Sequence, residues 1–186
     1  MNIYDFDETI YDGDSGVDFF LYSFKKRKVN ISCIFKALGK AIGTIFGKCE
    51  KKDVKDELFS YLKNIENLND FVEDFWDKHE NKIKKWYLEN QKENDVLMTA
   101  SSDIWIYPIC KRLNIKNVIC TRTDENTKKI IGKNCKGQNK IERFNEMFPN
   151  AIVENAYSDS LSDLPMFKIS KNAYLVKKEE LIKYEK

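Results

Sequence analysis

The first apolar segment of the chain, Asn2-Ile3-Tyr4 running into Asp5 and Phe6, reads as a short strand, yet no second strand pattern appears until Val96. A lone strand is not stable in water, so residues 2–6 must join a sheet built by distant sequence. From Val17 to Tyr87 the pattern is helical and free of proline. Ile31, Ile34, Phe35, Leu38, Ile42, Ile45 and Phe46 share one face. Val54, Leu58, Tyr61, Leu62 and Ile65 share another, and the apolar positions from Leu68 to Tyr87 mark one long amphipathic helix. A bundle of three or four helices is expected. Beyond Glu93-Asn94, apolar runs at 96–98, 118–120, 151–153 and 173–176 alternate with helical stretches at 103–114, 138–147 and 162–170. That alternation predicts an α/β fold with a parallel sheet covered on both faces, and makes the helical block an insertion after the first strand.

Composition narrows the partners. The 186 residues are 42% hydrophobic and 13% aromatic, enough for one domain with a sizeable insertion or two small ones. A balance of 32 basic against 30 acidic residues gives +2, so no global field favours nucleic acid or an acidic partner. Five dispersed cysteines without a CxxC pair argue against a disulfide framework or a zinc site, and for a reduced, cytoplasmic protein. Met1 runs straight into the strand, leaving no room for a signal peptide, and no segment approaches the roughly 18 apolar residues of a spanning helix. Secretion and stable membrane insertion are not expected.

In open α/β sheets ligands gather at the carboxyl ends of the strands. Asp5 and Asp7 leave the first strand there, Thr99 and Ser101 the second, and Asp159 and Asp163 a later one. Lys136 and Lys140 flank Gly137 at the mouth of a predicted helix. Carboxylates crowded without Cys or His suit a hard, oxygen-seeking ion, Mg²⁺ in particular, which takes one or two carboxylates and fills its shell with water and phosphate oxygens. A bound phosphate would then be held from its other side by a lysine and a hydroxyl.

These motifs resemble those of the haloacid dehalogenase-like superfamily. "DFDETI" matches its DxDx[TV] signature, "LMTASSDIW" its second motif, the lysine its third and "SDSLSDLPMF" its DxxxD fourth, over residues 2 to about 176. The helical insertion resembles the cap of the phosphoserine-phosphatase-like branch. The resemblance implies a Rossmann-like catalytic core over 1–14 and 89–186 with an all-helical cap at 15–88. It implies Asp5 as nucleophile, Asp7 as the acid and base that serves the leaving oxygen and then water, and Asp5, Asp7, Asp159 and Asp163 around Mg²⁺. An acid at position 7 favours phosphatases over the dehalogenases and P-type pumps, which lack it. Thr99 and Ala100 would meet the phosphoryl oxygens. Alignment on the glycine selects Lys136 as the third-motif lysine, whereas the G-x-x-K pattern of the branch selects Lys140, the preferred choice. Ser158 stands where the family usually has glycine, which would stiffen or tilt the metal loop.

Substrate choice in this branch rests on the cap and the stretch after the first motif. Asp14 stands where phosphoserine phosphatases carry an amine-binding glutamate, and the only cap arginine is Arg27, so Lys52 or Lys55 would have to replace a carboxylate-binding arginine. Phosphoserine is thus one option among small phosphorylated metabolites. "ISCIFKALGKAIGTIFGK" has a broad apolar face and Gly39, Gly43 and Gly47 at four-residue spacing. It suits either close packing of two cap helices or a membrane surface and a lipid-like substrate. His79 is expected as a packed, hydrogen-bonded residue, and Lys25–Lys28 as a solvated helix end. The expected activity is Mg²⁺-dependent hydrolysis of a small phosphomonoester through an aspartyl-phosphate. The alternatives are phosphoryl transfer or mutase chemistry with the same residues, and phospho-ligand binding without turnover.

Overall fold

Strand β1 (Asn2–Tyr4) is only three residues long, so side chains rather than length must fix its register. Asn2 lies beside Asn155 of β4 (Val153–Ser158), which lies beside Asn172 of β5 (Ser170–Lys177). The Asn155 amide donates to Asn2 Oδ1 at 2.8 Å, and the Asn172 amide donates to Asn155 Oδ1 at 3.2 Å. Two residues on, Tyr4, Tyr157 and Tyr174 stack in sequence with ring centroids 4.7 and 5.1 Å apart. A one-residue slip would break both ladders.

The computed structural model describes residues 1–185. Its sheet runs β3-β2-β1-β4-β5-β6, with β2 at Val96–Ser102, β3 at Asn117–Thr121 and β6 at Glu180–Tyr184. The first five are parallel, and β6 is antiparallel to β5. From β1 the chain builds β2 and β3 on one side and then returns to lay β4 on the other. The strand order therefore reverses at the carboxyl end of β1, where an open α/β sheet forms its crevice.

Alternate residues of the strands feed two cores. Ile3, Val96 and Met98 pack with Phe144 of α7 (Gln138–Met147) and Met166 of α8 (Leu164–Ile169). Tyr4 and Leu97 face the other way. They share a cluster with Phe19 of α1 (Ser15–Lys25), Phe75 and Trp76 of α4 (Leu68–His79), Tyr87 of α5 (Lys85–Asn90), and Trp105 and Ile106 of α6 (Asp103–Arg112). Helices α1, α4 and α5 of the 15–88 segment are thus built onto the sheet, whereas α2 (Ile31–Ile45) and α3 (Lys51–Leu58) pack chiefly on each other.

Several sequence expectations are corrected. The single helix expected from Leu68 to Tyr87 is broken after His79 by a 3₁₀ turn at Glu80–Lys82. The loop after β1 needs partners there: Asp12 N donates to Lys82 O at 2.8 Å and Lys84 N to Ile10 O at 2.8 Å, which pulls Ile83 and Lys84 into extended backbone. The run at 151–153 only touches the start of β4, whose polar middle is satisfied by the asparagine ladder. Strand β6, outside the expected runs, pairs antiparallel with β5, so the sheet is not purely parallel. The stretch 162–170 begins as a 3₁₀ turn (Leu161–Asp163) before α8. The large apolar face of α2 points to solvent instead of into a bundle: Ile31, Phe35, Leu38, Ile42 and Ile45 are exposed, while Cys33 and Ala37 are buried. Of the three spaced glycines only Gly43 is close-packed, where an added Cβ would lie 2.8 Å from Cys49 Sγ. His79 stacks on Phe75 at 4.3 Å, with Nδ1 2.8 Å from the Phe75 carbonyl.

Trp76 ties the inserted helices to the sheet. It is fully buried against Phe6, Tyr11 and Phe75, and its Nε1 donates to the Trp105 carbonyl at 2.7 Å. Trp76→Ala should lower unfolding free energy by about 3–5 kcal/mol in urea denaturation. Trp76→Phe keeps much of the packing and should cost about 1–3 kcal/mol, mainly through the carbonyl left without its donor.

Candidate active site

The last ladder bond of β1, Asp5 N to Tyr157 O at 2.9 Å, leaves the Asp5 side chain at the point where the strand order reverses. Gly137, at φ +56, turns the chain into α7 and places Lys140 in its first turn. The buried Lys140 ammonium donates to Asp5 Oδ1 at 2.6 Å and to Asp163 Oδ2 at 2.7 Å. Ser158, at the end of β4, donates its hydroxyl to Asp163 Oδ2 at 2.9 Å, so the serine found in place of glycine becomes a brace for the fourth-motif acid.

One ammonium shared by two carboxylates leaves a buried negative charge. Burial pushes the Asp5 carboxyl up to about 7 even though Lys140 pulls it down. Burial would lower the Lys140 ammonium, but Asp5 and Asp163 outweigh it and hold the ammonium above its ordinary value. Asp5 Oδ1 receives the only hydrogen bond to that carboxylate among the described residues. Oδ2 is left for another ligand.

Asp7 lies within a tight turn in which the Phe6 carbonyl accepts from Thr9, Ile10 and Tyr11. Its Oδ1 accepts from Ser15 N, at the start of α1, at 2.7 Å, and its Oδ2 from the Ser101 hydroxyl at 2.5 Å. Burial raises its carboxyl, and the Ser101 and Ser15 hydrogen bonds oppose the rise. Trp105 Nε1 in turn donates to Ser15 Oγ at 3.1 Å, which holds the start of α1 against α6.

Asp5 and Asp7 lie in the floor of a cavity of about 540 Å³, with Asp14, Ala100, Ser101, Lys136, Lys140, Asp159 and Asp163 also in its wall. Val17 and Phe20 of α1 and Lys55, Leu58 and Phe59 in and after α3 line it further. Helix α3 is held to the 128–134 loop by Asp56 Oδ1, which accepts from Ile130 N at 2.7 Å, and by Lys52 Nζ, which donates to Gly132 O at 3.3 Å. Lys55 donates to the Ala100 carbonyl at 3.3 Å, and burial lowers its ammonium against the pull of Asp7 and Asp14. Asp14 is engaged as the cap of α1, accepting from Val17 N at 2.9 Å. Thr99 is nearly fully buried, accepts from Ser101 N at 3.0 Å and is absent from the cavity wall. Of the hydroxyls leaving β2, that of Ser101 is the one against Asp7.

Mg²⁺ fits this donor set by its chemistry. Among the described residues no three His, Cys, Asp or Glu side chains form a metal cage, but Mg²⁺ needs only one or two carboxylates. Asp5 Oδ2 and the Asp159 carboxylate, the latter raised by burial, accept no hydrogen bond from another described residue. All available donors are oxygens.

The model of the haloacid dehalogenase-like hydrolase family matches residues 3–168. The chain belongs to this family. No curated protein matches it. Among solved structures, a Bordetella pertussis Tohama I protein of unknown function superposes with a TM-score of 0.74 at 15% identity, covering 94% of this chain and 88% of that one. A phosphoserine phosphohydrolase-like protein from Francisella tularensis gives 0.59 at 14% identity, covering 96% and 90%. A phospho-aspartyl intermediate analogue of phosphoserine phosphatase gives 0.53 at 16%, covering 93% and 84%. At such identities the likeness shows a shared haloacid dehalogenase-like fold. Among the described residues no helix is long and apolar enough to cross a membrane.

Removing the shared cation leaves two carboxylates buried without a compensating charge. Lys140→Met should destabilise the fold by about 3–5 kcal/mol near neutral pH. Asp5 is already raised to about 7 with Lys140 present and rises further without it, so in the variant it keeps its proton to higher pH than in wild type. The deficit relative to wild type in urea denaturation should therefore grow as pH rises above about 7 and shrink as pH falls back to it, because only the wild type gives up the Asp5 proton there.

Proposed function

We propose that the chain is a Mg²⁺-dependent phosphatase that hydrolyses a small phosphomonoester through an aspartyl-phosphate on Asp5, with residues 15–88 acting as its cap. One observation carries this reading: Asp5 is held through one oxygen by buried Lys140 and has its other oxygen unclaimed in the cavity floor, where Asp7 also lies.

The chemistry follows from those groups. An Asp5 oxygen attacks phosphorus and the bond to the leaving oxygen breaks, while Asp7 gives that oxygen a proton. Burial raises the Asp7 carboxyl, the direction that favours the acid form this step uses. Water then attacks phosphorus, Asp7 takes its proton, the Asp5–phosphorus linkage breaks and inorganic phosphate leaves. Lys140 balances the charge on Asp5 and the phosphoryl oxygens. Ser101 holds Asp7 in place, and the Ala100 backbone in the cavity wall takes the phosphate-binding role expected of the second motif. Mg²⁺, held by Asp5, Asp159 and the Asp7 backbone carbonyl, would offset phosphoryl charge. Lys55 and Lys136 in the cavity wall suit a substrate with a further anionic group, whereas Asp14, occupied as a helix cap, is a weaker amine site than a free glutamate. Helix α3, latched by Asp56 and Lys52, would exclude bulk water during transfer.

Phosphate release from a panel of phosphomonoesters should require Mg²⁺ and be abolished in Asp5→Asn without loss of fold; undiminished turnover would rule out the covalent route. A second expectation concerns pH. Because Asp5 in the metal-free chain holds a proton up to about pH 7, Mg²⁺ must displace it, so the Mg²⁺ concentration for half-maximal rate should rise as pH falls below that value. Ser101→Ala removes the largest influence that lowers the Asp7 carboxyl, so the alkaline limb of the kcat/KM profile should move to higher pH. An unmoved limb would deny Asp7 the role of general acid.

A further inference from the structure

Helix α2 turns its small residues inward and its large ones outward. Cys33 and Ala37 are buried, while Ile31, Phe35, Leu38, Ile42 and Ile45 form a stripe along the opposite side, each 50–80 % exposed. A soluble helix normally does the reverse. Isolated exposed apolar residues need no explanation, but a continuous stripe does.

The charge around this stripe is one-sided. Residues 25–49 contain seven basic residues, Lys25, Lys26, Arg27, Lys28, Lys36, Lys40 and Lys48, and no acid. The rest of the chain holds the remaining 25 basic residues and all 30 acids, so it is net negative. Of the seven, Lys26 is paired, with Asp74 at 3.1 Å, and no salt bridge among the described residues engages the other six. Cations therefore flank both ends of the apolar stripe, in the turn before α2 and just after it.

We propose that α2 docks the protein on an anionic lipid surface, its apolar stripe entering the boundary of headgroups and acyl chains and its flanking lysines lying among the lipid phosphates. Three features select this occupant. An apolar stripe bordered by cations without acids is the pattern of helices that lie in a bilayer interface, and cations near the surface add attraction to anionic lipids. The inward side of α2 is already packed, so a protein groove that wraps a helix cannot enclose it, whereas a flat surface needs only the outward stripe. A symmetric dimer through this face would oppose two sets of uncompensated cations. Helix α1 carries a second exposed stripe, Val17, Leu21 and Phe24, and Val17 also lines the Asp5 cavity. The surface-seeking part of the chain thus begins at the rim of the site.

The test is co-sedimentation of the full chain with vesicles of phosphatidylcholine alone and of equal parts phosphatidylcholine and phosphatidylglycerol. Binding should be confined to the anionic vesicles and fall with added salt. The double variant Phe35→Ser/Ile42→Ser should lose at least tenfold in partition coefficient, and Lys25→Glu/Lys28→Glu/Lys48→Glu should do the same. Ile152→Ser, which removes an equally exposed apolar side chain elsewhere, should bind as wild type. Circular dichroism and thermal unfolding would confirm that each variant folds. No binding to anionic vesicles, or equal binding by the Phe35/Ile42 variant, would overturn the proposal. So would a concentration-dependent dimer in sedimentation velocity that this variant abolishes. Because the readout is lipid binding and not turnover, failure here would leave the phosphatase reading intact, and the reverse also holds.

Discussion

One ammonium between two buried carboxylates organises the molecule. Lys140 joins Asp5 at the end of β1 to Asp163 in the turn before α8, and so links elements that lie far apart in sequence. Such a cluster is a poor source of net stability, because desolvation of three charges offsets most of their attraction. What it supplies is position: the Asp5 carboxylate is fixed through one oxygen with the other left for chemistry. The asparagine and tyrosine ladders serve the same end by setting the register of β1, β4 and β5, which decides whether Asp5 and Asp159 leave the sheet at the same edge.

The same cluster explains why a cation belongs at this site. With one positive charge against two negative ones, the floor of the cavity keeps a net negative charge, and burial, with Asp163 adding to it, raises the Asp5 carboxyl against the pull of Lys140. A proton answers it at low pH. In the proposed function a hard divalent ion would answer it at higher pH, ahead of a phosphate dianion. Asp7, raised by burial but held down by Ser101 and Ser15, sits apart from the Lys140 cluster. Two carboxylates two residues apart thus receive different environments, one beside a cation and one beside neutral donors, which is the physical basis for assigning them different roles.

The fold was legible where a local rule met a long-range requirement. The lone N-terminal strand demanded a distant sheet, the later apolar runs supplied it, and Gly137 with Lys140 marked the start of α7 at Gln138–Met147, where periodicity placed it. Features that depend on tertiary partners were not legible. Nothing local in the Leu68–Tyr87 pattern reports that the backbone of residues 10–12 will claim Lys82 and Lys84. Strand β6 escaped because its turn carries Lys178 at φ +56, where glycine or asparagine would have signalled a hairpin, within the charged run Lys177–Glu180. At the site, the acids and the lysine were legible as residue types at strand ends. The difference between Thr99 and Ser101 was not, because it depends on which hydroxyl leaving β2 lies nearer Asp7.

Helix α2 shows a further limit of the same kind, one of scale. A periodic apolar face tells that a helix is amphipathic but not what its face is for, and the usual assumption that it meets a core holds only when the chain has core left to offer. Here α1, α4, α5 and α6 already cover that side of the sheet, so α2 can attach only through small residues, with Cys33 and Ala37 inward and Phe35 and Leu38 outward. Net charge misleads in the same way. A total of +2 describes a nearly neutral chain, whereas the segregation of seven cations without an acid into residues 25–49 describes a molecule with a strongly basic segment on an otherwise acidic body. Partners respond to the field over roughly a Debye length, about 8 Å at physiological salt, not to the sum over the chain. The exclusions that follow from composition therefore describe the average surface and do not extend to this helix, where apolar exposure and unopposed charge coincide.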